Sequence, residues 1–289
     1  MHALDLVNLR PLMELTSGKV ETAIGLIDGP VALGHPELAS DNIREIPGKL
    51  PGICARADSI ACMHGTLVAG ILSSKRSSAA PAICPDCTLL VRPIFAETTT
   101  TSNGLMPSAR PEDLAEAILD CVDAGARVIN LSVALAQPSS KGERKLEESL
   151  DHAARRGVII VAAAGNQGTV GSSAITRHPW VMPVVACDLQ GRPISFSNLG
   201  SSIGRRGLSA PGDAITSLGA DAKLRTFTGT SIAAPFVTGA VALLLSEFPA
   251  AATPSVKLAV AQASRPRRAT LVPPLLNAWA AYQALQRGM

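Results

Sequence analysis

Three side chains with complementary chemistry stand far apart in this chain: Asp28, His64 and Ser231. A serine hydroxyl is a poor nucleophile at neutral pH. It attacks a carbonyl when a neutral imidazole takes its proton, and a carboxylate behind the ring fixes the tautomer and stabilises the imidazolium that forms. A fourth residue, Asn166 in VAAAGNQG (161–168), offers an amide for the oxyanion that develops in acyl transfer. The backbone N–H of Ser231, at the start of a helix, is a second donor. Each residue also has an ordinary structural use. Asp28–Gly29 reads as a turn, His64 as a helix-opening histidine, and Asn166 as a turn residue before Gly168. Thr230 or Ser231 reads as a helix cap, with Pro235 in or near the first turn. Placement favours chemistry, because each of the four lies where an apolar element begins or ends.

Those elements follow from the apolar pattern. TAIGLID (22–28), TLLVRPI (88–94), RVINLSV (127–133), GVIIVAAAG (157–165) and VMPVVAC (181–187) are nearly continuous apolar runs, as in parallel strands covered on both faces. Helices are expected at 64–74, 111–125, 141–157 and 230–248, with two more near 254–263 and 275–287, and a short one at 3–16 packed outside the sheet. The alternation predicts an α/β fold: a doubly wound, mostly parallel central sheet with helices on both faces. One domain is expected over 1–289, with an N-terminal extension at 1–19, a catalytic core at 20–250 and C-terminal helices at 251–289. In such sheets active sites gather beyond the carboxyl ends of the strands.

Composition removes several function classes. The chain is 47% hydrophobic, enough for a large core, and its net charge of +3 is too small to imply nucleic acid. The dense basic cluster RPRR (265–268) reads as a solvated loop. Aromatics, at 3%, are too scarce for base- or sugar-stacking platforms. No glycine fingerprint follows the first strand, where DGPVALGHP stands, which argues against a nucleotide site. The apolar run near 232–245 is broken by Pro235 and Gly239 and is short for a bilayer span. The first twenty residues carry Asp5, Arg10 and Glu14 and do not read as a signal peptide. A cytoplasmic protein is expected. Of six cysteines, Cys54, Cys62, Cys84 and Cys87 allow three readings: inert thiols, disulfides among the four, or a zinc site. The loose spacing of the first pair and the lack of a further ligand pattern place zinc last, and no metal or cofactor is expected.

LIDGPV, HGTLVAGIL, VAAAGN and GTSIAAPFVTGAVALLL resemble the four signature segments of the subtilisin-like serine proteases, over roughly residues 20–250. The order Asp, His, Ser is that family's own, so it is recognised here rather than derived. The resemblance implies an endopeptidase with Asp28 as orienting acid, His64 as general base and then acid, Ser231 as nucleophile and Asn166 as oxyanion donor. It also implies a peptide substrate that adds as a strand between two edges. One edge is Ser132, Val133 and Ala134, with Ala134 where glycine is usual. The other follows Arg92, Ile94 and Phe95 into the TTTT loop (96–110), expected to shape specificity. The wall Ala163, Ala164 and Gly165 suggests a pocket of modest polarity without a counter-charge.

Departures from the family pattern have a direction. About twenty residues precede the first strand, too few for the pro-domain of secreted relatives, so the protein is expected to fold unaided unless this chain is a piece of a longer one. Where the family often carries a calcium loop, SSKRSSAAPAICPDC (73–87) lacks hard oxygen ligands. With the LIDGPV…HP opening (26–36) and the RPIF segment (92–95), a chain without leader or pro-domain resembles the branch that trims ribosomally made precursor peptides, as in cyanobactin-type pathways. Ring-closing relatives usually carry a helical insert between the Asp and His motifs. Here the corresponding stretch, with DNIREIPGKLPGICARAD (41–58), is short and broken by Pro and Gly, which favours hydrolysis over cyclisation. A transpeptidase using the same acyl-enzyme and a non-catalytic peptide-binding module remain the alternatives. The sequence does not specify an oligomeric state.

Overall fold

The five apolar runs form the middle of a seven-stranded sheet, joined by two strands too short to announce themselves. The computed structural model describes residues 3–97, 109–133, 143–263 and 270–288. The strands are β1 (Ala23–Asp28), β2 (Ile43–Glu45), β3 (Thr88–Pro93), β4 (Val128–Leu131), β5 (Ile159–Ala163), β6 (Val181–Cys187) and β7 (Leu208–Pro211), in the order β2-β3-β1-β4-β5-β6-β7. Every neighbouring pair is parallel. An antiparallel hairpin, β8 (Ile215–Leu218) and β9 (Leu224–Phe227), stands apart from the sheet. Sequence pattern misses β2, β7, β8 and β9: each has three or four residues, and β2 and β9 are largely exposed.

Helices cover both faces, as the alternation predicts. On one side lie α3 (Ile60–Ser73) and α8 (Thr230–Glu247), with α1 (Ala3–Leu6), α2 (Arg10–Leu15), α9 (Thr253–Gln262) and α10 (Ala278–Gly288) outside them. On the other lie α4 (Pro111–Asp123), α5 (Glu143–Arg155) and α6 (Ala174–Arg177). A short α7 (Ser201–Arg206) precedes β7. The sheet thus separates two cores: Ile24, Leu26, Leu89 and Val91 face α3 and α8, whereas Ile27, Leu90, Ile129 and Leu131 face α4 and α5. α8 is long and apolar enough to cross a membrane, but its side chains are buried almost all round, as expected of a central core helix.

Two helix starts differ from the expected ones. α3 begins at Ile60, because Ile60, Ala61 and Cys62 already belong to its apolar surface, so His64 sits in the second turn rather than opening the helix. α8 begins at Thr230, which places Pro235 inside the helix rather than in its first turn. Neither Thr230 nor Ser231 is a cap: Gly229 occupies that position without a side-chain bond.

Cys54, Cys62, Cys84 and Cys87 fall into two separate pairs, so the four do not form a common zinc site. Cys54 and Cys62 form a disulfide. Cys84 and Cys87 are buried free thiols against Gly18, and Cys87 lies 3.8 Å from Ser246 Oγ. A hydrogen bond between these two thiols raises the pKa of Cys84 and lowers that of Cys87. Burial pushes the Cys187 thiol up to about 12 and Cys121 higher still, so both are inert at neutral pH. In the segment after α3, Arg76 donates to the carbonyls of Met13, Thr16 and Ile83, tying the α2 end to this loop with a guanidinium. The RPRR segment lies outside the described residues.

α3 and the turn after β1 touch backbone to backbone. A Cβ on Gly65 would lie 2.5 Å from the carbonyl oxygens of Gly29 and Pro30, and one on Gly29 would lie 2.0 Å from that of Ala61. Gly65→Ala should therefore force the two segments apart and cost about 1–3 kcal/mol, as overpacking does. Urea denaturation should show a lower midpoint at unchanged slope. Gly34→Ala, where nothing lies within 4 Å of the added carbon, should leave the midpoint in place.

Candidate active site

Strand alternation decides which polar side chains can meet. Ile27 faces α4, so its successor Asp28 faces α3 and α8, at the carboxyl end of β1. His64 on α3 and Ser231 in the first turn of α8 approach from that side. The structure brings the three together. His64 Nδ1 is 2.8 Å from Asp28 Oδ1 and 3.0 Å from Oδ2, and His64 Nε2 is 2.9 Å from Ser231 Oγ. A carboxylate only accepts, so Nδ1 carries the proton and Nε2 accepts from the serine hydroxyl. Asp28 is fully buried and His64 nearly so. The Gly29 amide donates a further 2.6 Å bond to Asp28 Oδ1. Phe227, at the end of β9, stands edge-on to the imidazole at 6.0 Å.

Asn166 lies beside the same serine. Thr230 donates to Asn166 Oδ1 through both its backbone N and its hydroxyl, each at 2.9 Å. These donors fix the amide with its oxygen toward Thr230 and its Nδ2 toward the space over Gly229. A Cβ built on Gly229 would be 3.1 Å from Nδ2 and 3.5 Å from Ser231 Oγ, so glycine keeps the gap between them clear. The Thr230 hydroxyl also accepts from the amide of Gly165, whose φ of +108° suits glycine and turns the chain out of β5. Thr230, which the sequence suggests only as a cap, instead joins β5 to α8.

A buried polar chain supports the serine from below. Pro235 has no N–H to give the Ser231 carbonyl four residues earlier. Ser132 Oγ takes that place, donating to Ser231 O at 3.1 Å. Ser132 Oγ accepts from Asn130 Nδ2 at 2.7 Å, and Asn130 Oδ1 accepts from Thr238 on α8 at 2.8 Å. Asn130 and Thr238 are fully buried. Sequence reading passes over both, because a single polar residue inside an apolar run gives no local signal of its partner.

The expected cleft residues divide. Arg92 does not face a substrate. It shares the α4 side of β3 with Leu90, where its Nε donates to Asp120 at 2.8 Å and its Nη1 to Pro93 O at 2.9 Å. Ile94 and Val133 place their side chains in the same α4–α5 core, so each could offer a peptide only backbone. Ala163 and Ala164 are buried at the end of β5. Asn198 donates to the Ala164 carbonyl through Nδ2 and to the Gly165 carbonyl through its amide, bracing this wall. Gln167 extends it and accepts from Asn198 Nδ2 at 2.7 Å. Ala134 and 98–108, most of the TTTT loop, lie outside the described residues.

The chain matches the subtilase family over residues 20–274 and belongs to it. It is 31% identical over 240 residues to a thermophilic serine proteinase of Bacillus sp. (strain AK1), a match that takes in 81% of this chain and 54% of that protein. It spans about half the length of the curated relatives it matches first. Among solved structures it is similar to a mutant protease domain of PatA, at 30% identity and a TM-score of 0.86, covering 94% of this chain and 98% of that one. The prenylagaramide maturation protease PagA is similar at 28% identity and a TM-score of 0.83, covering 96% and 98%.

Ser132→Ala should remove the donor to the Ser231 carbonyl and leave Asn130 Nδ2 without its acceptor. The expected loss is about 1–3 kcal/mol, the cost of leaving a buried polar group unsatisfied. Chemical denaturation in a Ser231→Ala background, free of any self-cleavage, measures it. Ser132→Thr, which keeps the hydroxyl, should recover part of the loss.

Proposed function

We propose that this chain is a serine endopeptidase that cuts peptide bonds through an acyl-enzyme, acting on a ribosomally made precursor peptide. The observation that carries the reading is the unbroken hydrogen-bond line from Asp28 through His64 to Ser231, with the Asn166 amide beside the serine. Ser231 Oγ attacks the scissile carbonyl as His64 Nε2 takes its proton. Buried Asp28 holds the Nδ1 proton and stabilises the imidazolium. The tetrahedral oxyanion is received by Asn166 Nδ2 and by the Ser231 backbone N–H at the start of α8. His64 then returns the proton to the leaving amine. Water follows the same route in reverse and frees the serine.

Two observations support the narrower substrate. PagA is described as a maturation protease, as is PatA for patellamide, and both align with this chain across nearly their whole solved length. Between β1 and α3 the chain forms β2, a short 3-10 turn, Ser40–Asn42, and isolated bridges, with no α-helix in that segment. The lack of a helical insert in this segment favours hydrolysis of the acyl-enzyme over ring closure.

Incubation with a diverse peptide library should yield fragments whose masses include one added water. Cyclic products of unchanged total mass would instead support transpeptidation. A fluorophosphonate probe should label the wild type and not Ser231→Ala; equal labelling of both would show that the wrong nucleophile was named. Asn166→Ala should keep labelling measurable while lowering kcat by about 10²–10³, the usual loss for one oxyanion donor.

A further inference from the structure

Cys54, Cys62 and Glu97 place two sulfurs and a carboxylate oxygen within 4.8 Å of one another, outside the Asp28–His64–Ser231 site. The two cysteines are disulfide-bonded, with Cα atoms 5.5 Å apart. Two thiolates on one tetrahedral zinc stand about 3.8 Å apart, given Zn–S bonds of about 2.3 Å, and side-chain rotation reaches this from such a backbone separation. Glu97 is already held in place. Its Oε1 accepts from the amides of Ala55 and Arg56 at 3.1 and 2.9 Å, and its Oε2 from Ala55 at 3.1 Å. Such support is what orients a ligating carboxylate. Cys62 lies in the first turn of α3, where the helix dipole favours the thiolate. Cys54 and Glu97 are half-buried and Ala55 and Arg56 exposed, so the cluster has a route to solvent.

We propose that Cys54, Cys62 and Glu97 form a redox-gated zinc site, closed by the disulfide when oxidised and by Zn²⁺ when reduced. A dithiol reductant delivers two electrons and two protons to the disulfide, giving two thiols and its own disulfide. Zn²⁺ then displaces both thiol protons and binds two sulfurs, the Glu97 carboxylate and a water. Soft thiolates select zinc over calcium or magnesium.

The site clasps three segments around the Asp28–His64 pair. Cys54 belongs to a stretch paired with the chain leaving Asp28: its amide donates to Val31 O, and the Val31 amide donates to Gly52 O. Cys62 lies on the helix that holds His64. Glu97 follows β3, beyond Ile94, whose amide donates to Asp28 O. The clasp is shut in the oxidised chain and in the reduced, zinc-bound chain. It is open only when the chain is reduced and metal-free.

The test uses the whole chain, reduced with a dithiol and checked by thiol count, then titrated with Co²⁺ and Zn²⁺. The reduced wild type should take up one Zn²⁺ per chain and show a thiolate-to-cobalt charge-transfer band. The oxidised protein and Cys54→Ser/Cys62→Ser should show neither, although Cys84 and Cys87 remain. Glu97→Gln, which keeps both cysteines, should weaken zinc binding by the reduced chain by at least about tenfold, the lower end of what losing a supporting group costs. The reduced protein should also melt at a higher temperature with zinc than with a chelator. A cobalt band absent from the reduced wild type, or equal affinity in the double-serine variant, overturns the site. Unchanged affinity in Glu97→Gln overturns the three-ligand assignment. The charge-transfer band reports sulfur ligation at these cysteines and is independent of whether the protein cuts peptides.

Discussion

A carboxylate with no access to water sits at the end of β1, inside the sheet, and much of the molecule is arranged to make that tolerable. Unpaired, the buried charge of Asp28 would cost several kcal/mol. It is met by the His64 ring and by the Gly29 amide. That solution requires α3 to pass so close to the turn after β1 that both Gly29 and Gly65 exclude a Cβ. The contact that satisfies the charge therefore also sets the position of the imidazole, whose other nitrogen is left to reach across to α8. Electrostatic necessity and catalytic geometry are here a single constraint.

The serine is fixed by a second constraint. A helix that opens with the nucleophile and contains proline in its second turn leaves the nucleophile's carbonyl without its helical donor. Ser132 restores the bond from the neighbouring strand and is itself held by Asn130, which Thr238 anchors back to the same helix. The loop of bonds runs from α8 to β4 and returns to α8, so the first and third turns of the helix are referenced to one strand. Thr230 does the same toward β5 through Gly165 and Asn166. Nucleophile and oxyanion donor are registered to adjacent strands of the sheet, and the distance between them follows from strand spacing.

The legible part of this arrangement was the part carried by long, uniform segments. β1, β3, β4, β5 and β6 are continuous apolar runs because helices cover both their faces, and α8 is apolar nearly all round for the same reason. Asp28 and Ser231 stood out against such backgrounds. Polar His64 looks like a helix boundary in sequence, whereas α3 starts at Ile60 and its buried face at Ala61. The family resemblance implies a place for Arg92 along the cleft, but its alternation with Leu90 turns it to the α4 side, where Asp120 compensates its charge. Which face a residue takes is settled by its neighbours two positions away, and in a fully apolar run those neighbours give no contrast. The network of Asn130, Thr238 and Thr230 is not legible in sequence, since the bonds that tie it to α8, Thr238 to Asn130 and Thr230 to Asn166, join residues far apart in the chain.

A tie of another kind links α2 to the loop after α3. Arg76 gathers three carbonyls from the α2 end and from the loop after α3, binding them with one guanidinium. Such a group cannot lose its charge at any ordinary pH, so the tie is permanent. The tie at Cys54, Cys62 and Glu97 is of the opposite kind, because its chemistry changes with redox state. The two sit at opposite ends of α3: Cys62 near its start and Arg76 just past its finish. The helix that presents His64 is thus anchored at one end by a bond that responds to conditions and at the other by one that does not.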